Sequence, residues 1–196
     1  MTVKFTIKNF DELTAVDVYY ILQARSQVFV VEQHCPYQDV DDIDFECLHL
    51  VAHMDKTLVG YCRIIPPNVG GVASNPNPRI GRVLVLPEYR RNGLARDIMM
   101  HAIKYCRSKY GKKPIRIAAQ TYLTEFYQSL GFEAIGEPYE EDGLSHIDMV
   151  LQQNKRKIKA ASVPAIAEGV SAKSVLMNLV LFIIAVAIIG VLYLLI

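Results

Sequence analysis

The chain has 196 residues, 52% of them hydrophobic, and sets 21 Lys+Arg against 20 Asp+Glu for a formal net charge of +1. That length leaves room for one ordinary domain plus an appendage and excludes a multidomain machine. A balanced charge lacks the basic footprint of a nucleic-acid binder, so no nucleic-acid partner is expected.

In VKFTIK, Val3, Phe5 and Ile7 alternate with Lys4, Thr6 and Lys8, which predicts a half-buried strand. Thr14 with Asp17 three residues on reads as a capping box. Val18, Ile21, Leu22, Arg25, Val28 and Phe29 recur at helical spacing, predicting a helix over 14–29. A polar, acidic loop follows. LHLVAHM and LVGYCRII flank Asp55-Lys56 as a hairpin, and the Pro-, Gly- and Asn-dense stretch 66–78 is a long loop. IGRVLVL predicts a mostly apolar strand over 80–86. The helix after it carries Leu94, Ala95, Ile98, Met99, Ala102, Ile103 and Cys106 on one side. IRIAA is a short buried strand, TYLTEFYQSL a short helix stopped by Gly131, and FEAIGE and HIDMVLQ are two closing strands around Glu141-Asp142-Gly143. The order β-α-β-β-β-α-β-α-β-β predicts an α+β fold with a mixed sheet covered by helices on both faces.

Three segments follow from charge and hydropathy: a domain over 1–154, a basic linker over 155–174 and an apolar run over 175–196. The linker carries Lys155, Arg156, Lys157, Lys159 and Lys173 against Glu168 alone. From Val175 to Ile196 there is no charge, Asn178 is the single strongly polar side chain, and apolar residues occupy every helical phase. At about 1.5 Å per residue the run spans roughly 33 Å, enough for a hydrocarbon core of about 30 Å. It is expected to be a transmembrane helix in the lipid bilayer. The basic flank predicts a single-pass tail anchor with the N-terminal domain cytoplasmic. MTVKFTIKNFDE lacks the apolar core of a signal peptide, which agrees with that orientation.

Cys35, Cys47, Cys62 and Cys106 form no C-x-x-C pair, so neither a disulfide framework nor a metal is expected. Asp39, Asp41, Asp42, Asp44 and Glu46 crowd one loop, but a calcium loop needs Gly where Asp44 stands and Glu where Leu50 stands. The expectation is a solvated acidic loop, or a mouth that attracts a cationic substrate.

The most informative stretch is Arg90-Arg91-Asn92-Gly93-Leu94-Ala95, between a strand and a helix. Such a turn directs unpaired amide N–H groups outward and the helix dipole adds positive potential, so it suits a pyrophosphate; Gly93 permits close approach, and Arg90, Arg91 and Arg96 supply charge.

IGRVLVLPEYRRNGLARDIMMHAI resembles motif A of the GNAT acetyltransferases, R/Q-x-x-G-x-G/A after a strand, and TEFYQSLGFEAIGE resembles their motif B. Arg25-Ser26-Gln27-Val28-Phe29-Val30-Val31-Glu32-Gln33, Cys35-Pro36-Tyr37-Gln38-Asp39, Ala119-Gln120 and Glu141-Asp142-Gly143 with His146 resemble the ElaA-type branch, over about residues 5–152. Ala95 stands where glycine is commoner, and the added transmembrane tail departs from the ElaA-type pattern. The resemblance implies a GNAT-like sheet that binds acetyl-CoA as co-substrate where it splays after the fourth strand. Val83, Leu84 and Val85 would offer main-chain groups to pantetheine, and Arg90, Arg91, Asn92, Gly93, Leu94 and Ala95 would hold the pyrophosphate.

Acyl transfer to a small-molecule or peptide amine requires a proton acceptor, an oxyanion donor and a proton source for the leaving sulfur. The resemblance puts Tyr127 at the sulfur-protonating position. Glu32, His49 and His146 are candidate bases, with Glu32 favoured; Arg25, Asp39, Asp41, His49, Gln120 and His146 are candidate substrate residues. The resulting expectation is a membrane-tethered N-acetyltransferase. Two other expectations stay open: a catalytically silent GNAT-fold scaffold with a membrane-protein partner, and an acyl-homoserine-lactone synthase-like enzyme, which an Arg…Phe segment like Arg25 and Phe29 also fits.

Overall fold

The computed structural model describes residues 2–70 and 75–152. The basic linker and the apolar run of 175–196 lie outside the described residues. Among the described residues no helix is long and apolar enough to cross a membrane.

Seven strands, β1 (Val3–Asn9), β2 (Leu48–Met54), β3 (Thr57–Ile65), β4 (Arg79–Val85), β5 (Ile115–Gln120), β6 (Glu133–Glu141) and β7 (Leu144–Leu151), form one sheet in the order β1-β2-β3-β4-β5-β7-β6. All neighbours pair antiparallel except β4 and β5. Three helices accompany them: α1 (Ala15–Arg25), α2 (Leu94–Tyr110) and α3 (Thr124–Gln128). The mixed α+β architecture is the one the element order predicts.

Alternation along each strand sends successive side chains to opposite faces, so the two halves of the core are written into neighbouring residues. Val51, Tyr61 and Leu84 pack with Ile21, Ala24 and Val28 on one face. Leu50, Ala52, Cys62 and Ile64 pack with Ile98, Met99, Ala102, Ile103 and Cys106 of α2 on the other. Burial on both faces makes β3 apolar almost throughout. Thr14 caps α1 as its sequence predicts: its Oγ accepts from the Asp17 amide at 3.1 Å, and Asp17 Oδ2 accepts from the Thr14 amide at 2.9 Å.

The predicted helix over 14–29 differs in the structure. The α-helix ends at Arg25 and the chain winds on as a π-helix over Ser26–Glu32. Three-and-four spacing does not separate the two states, because the hydrogen bonds slip by one residue while Val28 keeps facing the core. The predicted acidic loop holds a 3-10 turn over Asp42–Glu46 in which Asp44 is buried.

Candidate active site

Strands β4 and β5 share a single bridge, Arg79 with Arg116. Beyond it they diverge and leave the edge of β4 without a strand partner toward β5. The divergence follows from a bulge: Tyr61 pairs with Leu84 and Arg63 with Gly81, so one extra β4 residue stands between those pairs. Arg82 absorbs it at φ 52°, an unusual value for a residue with a side chain. The bulged residue is held by Asp39, whose Oδ1 accepts from Arg82 Nε at 2.6 Å.

On the helix side of this opening, the turn after β4 leads into α2 through Arg91 at φ 65° and Gly93 at φ 81°. A Cβ built on Gly93 would meet nothing within 4 Å. The Arg96 and Asp97 amides donate to the Gly93 carbonyl, at 2.9 and 3.2 Å, while the amides of 91–95 make no backbone hydrogen bond among the described residues. This is an accessible nest of N–H groups at a helix start, the arrangement that accepts phosphate oxygens.

A cleft of about 480 Å³ runs along β4 and β5 where they separate. Gly81, Arg82 and Val83 line it from β4, Ile117, Ala118 and Gln120 from β5, Tyr127 from α3, and His146 from β7. The chain that follows the π-helix covers it: Gln33 and Gln120 exchange amide hydrogen bonds at 3.1 and 3.4 Å, and Cys35 Sγ donates to the Asp142 carbonyl at 3.0 Å. Tyr127 is 6% exposed and lies edge-on to Phe126 and Phe132. Burial pushes its phenol pKa upward, so the group stays protonated over the working pH range. His146 Nδ1 lies 2.9 Å from the Leu144 carbonyl. A carbonyl only accepts, so Nδ1 carries a hydrogen, and in the neutral ring the lone pair sits on Nε2.

Behind the cleft is a buried ion-pair network. Arg25, wholly buried, donates from Nε to Asp39 at 2.7 Å and from one terminal nitrogen to both Asp44 oxygens at 2.9 Å. Arg63 donates to Asp41 at 2.6 and 3.0 Å and to Asp44 at 2.7 Å. Burial alone would raise the Asp44 pKa, but hydrogen bonding to Arg63 and the charges of both arginines hold it below the ordinary carboxylate value. His49 donates from Nε2 to the Asp44 carbonyl at 3.0 Å and accepts from the Tyr61 hydroxyl at 2.7 Å, and its burial lowers the ring's pKa.

Residues 13–153 match the family model described as the acetyltransferase (GNAT) domain. The chain belongs to the GNAT family. The chain is 38% identical over 144 residues to the Escherichia coli protein ElaA, covering 72% of this chain and 91% of ElaA, and the ElaA crystal structure superposes with a TM-score of 0.70. An acyl-CoA N-acyltransferase from Pseudomonas aeruginosa has 34% identity and a TM-score of 0.70, over 76% of this chain and 99% of that one. A CoA-dependent acyl-homoserine lactone synthase, BjaI, shares the fold with a TM-score of 0.64 at 19% identity, over 79% of this chain and 85% of the synthase.

Within this GNAT domain the predicted site residues separate into four groups. Tyr127, Val83, Gln120, His146 and Asp41 line one cleft. Arg91, Asn92, Gly93, Leu94 and Ala95 form the open turn, and Leu84 and Val85 belong to the strand before it. Arg25, Asp39 and His49 are spent on one another's network and do not line the cleft, and the burial within the acidic loop corrects the expectation that it is solvated throughout. Asp39 and Asp44 are only 6% and 5% exposed. Glu32 sits apart from the cleft lining, gripped by Arg90 through two hydrogen bonds of 2.6 and 2.7 Å that lower its pKa and its basicity. Arg96, in the first turn of α2, donates to the Ser129 hydroxyl at 2.5 Å and to its carbonyl at 3.4 Å, both neutral partners that leave its charge uncompensated among the described residues. Sequence reasoning missed Arg63, Arg79 and Arg82, although two arginines three residues apart in an apolar strand are themselves a sign of a bulge. Among the described residues no group of three His, Cys, Asp or Glu side chains could hold a metal ion.

Proposed function

We propose that this GNAT domain is an N-acetyltransferase that moves the acetyl group of acetyl-CoA to a primary amine by direct attack, and that the apolar run of 175–196 tethers it to a membrane with the domain on the cytoplasmic side. The observation that carries the reading is the opening between β4 and β5 beside a turn whose Gly93 is unobstructed.

Acetyl-CoA supplies a thioester carbonyl and a thiol leaving group. The amides of 91–95 and the guanidinium groups of Arg90 and Arg91 would hold its pyrophosphate, and the unpaired edge of β4 at Val83–Val85 would align the pantetheine as an added strand. His146 takes the role of base: Nδ1–H is tied to the Leu144 carbonyl, which aims the Nε2 lone pair as proton acceptor for the amine. Tyr127 remains a phenol and donates a hydrogen bond to the sulfur as negative charge develops on it. With its pKa raised, complete proton transfer to a thiolate whose thiol titrates near about 8.5 is uphill, so its contribution is stabilisation and orientation.

Thiol release from acetyl-CoA by the full-length chain, screened against a broad set of amines, tests the reading. Tyr127→Phe is expected to lower kcat by about tenfold to a hundredfold with CoA affinity retained. Gly93→Glu is expected to abolish CoA binding, since a carboxylate enters the phosphate nest and a side chain is forced onto a positive φ. A chain that neither binds CoA nor releases thiol with any amine overturns the proposal.

A further inference from the structure

We infer that the acceptor amine carries a carboxylate, roughly 7 to 13 Å from the reacting nitrogen, which is received at the inner end of the cleft by Arg79 beside Arg63. This deepens the acetyltransferase reading and rests on it for the identity of the amine as acceptor.

Charge balance supplies the first argument. Arg25, Arg63 and Arg82 are matched by Asp39, Asp41 and Asp44, each pairing with more than one partner. Arg79 is the fourth guanidinium of this region, and among the described residues it has no carboxylate partner; one terminal nitrogen donates to the Val69 carbonyl at 2.7 Å. A partly desolvated cation without a counter-ion is costly, and an incoming anion removes that cost. Leftover hydrogen-bonding capacity is the second. The Nε atoms of Arg63 and Arg79 are both buried with no acceptor, and both residues line the cleft. A carboxylate entering there gains charge-assisted hydrogen bonds.

The register converts this into a length. Arg79, Gly81 and Val83 lie on the cleft-lining wall, and Arg63 pairs with Gly81. Counted through the β3 partners Tyr61, Arg63 and Ile65 at about 3.3 Å per residue, Gly81 lies roughly 7 Å and Arg79 roughly 13 Å from Leu84, where the strands have opened. At the opposite wall the exposed Glu141 and Asp142 rim the cleft near His146. The cleft is therefore dipolar along its length, with a carboxylate-seeking end and an end that draws a cationic amine.

Calorimetry on the full-length chain in detergent, with and without CoA, uses ε-aminocaproate, its uncharged amide, n-hexylamine and glycine. We expect ε-aminocaproate to bind at least tenfold more tightly than the amide or hexylamine, and glycine, too short to reach both ends, to bind no better than these. Arg79→Gln should remove the preference for the acid, and Arg79→Lys should restore part of it. Equal affinity for acid and amide, or no binding of the acid, overturns the inference, and both are read on the unsubstituted protein. Failure here with thiol release from other amines intact leaves the acetyltransferase reading standing. Selective binding of the acid without any thioester turnover sinks that reading and overturns the acceptor's identity, leaving only a binding site for an amino acid.

Discussion

Glu32 and Arg90 show how one side-chain pair can bear on two ligands. The guanidinium donates to both Glu32 oxygens and, through Nε, to the Val85 carbonyl at 2.9 Å, and so ties the π-helix to the end of β4. A pyrophosphate drawing on Arg90 must compete with that carboxylate. Glu32→Gln is therefore expected to tighten CoA binding by up to about fivefold, the range open to a solvent-exposed ion pair, as read by calorimetry; weaker binding would show that Glu32 supports the ligand instead. His49 makes a different prediction. Its ring is buried, so its folded pKa lies below the unfolded value of about 6.5. As the pH falls below that value the unfolded chain takes up the proton first. The stabilisation is thus full above about 6.5 and is lost as the pH drops toward the folded pKa. His53, also lowered by burial, adds in the same direction. Asp17 has a separate window, because its hydrogen bond from Lys8 holds it at about 2 and its stabilisation fades only below about 4. Guanidinium unfolding should accordingly show a lower midpoint at pH about 5.5 than at about 7.5, and an NMR titration of the His49 ring in the folded protein should have its midpoint below about 6.5.

At the scale of elements, α2 lies so close to β3 that only glycine fits at position 60. A Cβ there would stand 2.6 Å from Ile98 Cδ1 and 3.1 Å from the Leu84 carbonyl oxygen. Gly60→Ala is expected to cost about 1–3 kcal/mol in chemical denaturation, by pushing a fully buried isoleucine and shifting β4. Since β4 carries the bulge, the same substitution should weaken CoA binding as well. The elements were legible in the sequence where a single period dominated: the alternation in VKFTIK, the stripe on α2 and the Gly131 stop after α3 all have counterparts in the structure. The slip from α to π turns after Arg25 was not legible, because it changes which carbonyl accepts each amide and leaves the apolar spacing untouched. The open turn before α2, proposed to receive the pyrophosphate, could be read as a turn because its geometry is local, held in six consecutive residues. The ion-pair network could not, since Arg25, the loop bearing Asp39 and Asp44, Arg63 and Arg82 converge from four places in the chain, and no local pattern pairs them.

For the molecule as a whole, the proposed tether places the domain beside a bilayer through a linker of net positive charge. In a flotation assay with vesicles, the full-length chain reconstituted from detergent is expected to stay with the lipid through a high-salt or carbonate wash, while a chain lacking 175–196 should sediment freely; loss of the full-length protein on washing would reduce the attachment to surface charge alone. The Arg90 contacts also bear on how turnover is organised. Under the proposed function one guanidinium serves both the π-helix that leads into the cleft's cover and the turn offered to the nucleotide, so an arriving diphosphate would loosen that cover. Such a linkage favours a compulsory sequence of addition, with the thioester admitted first and the amine second.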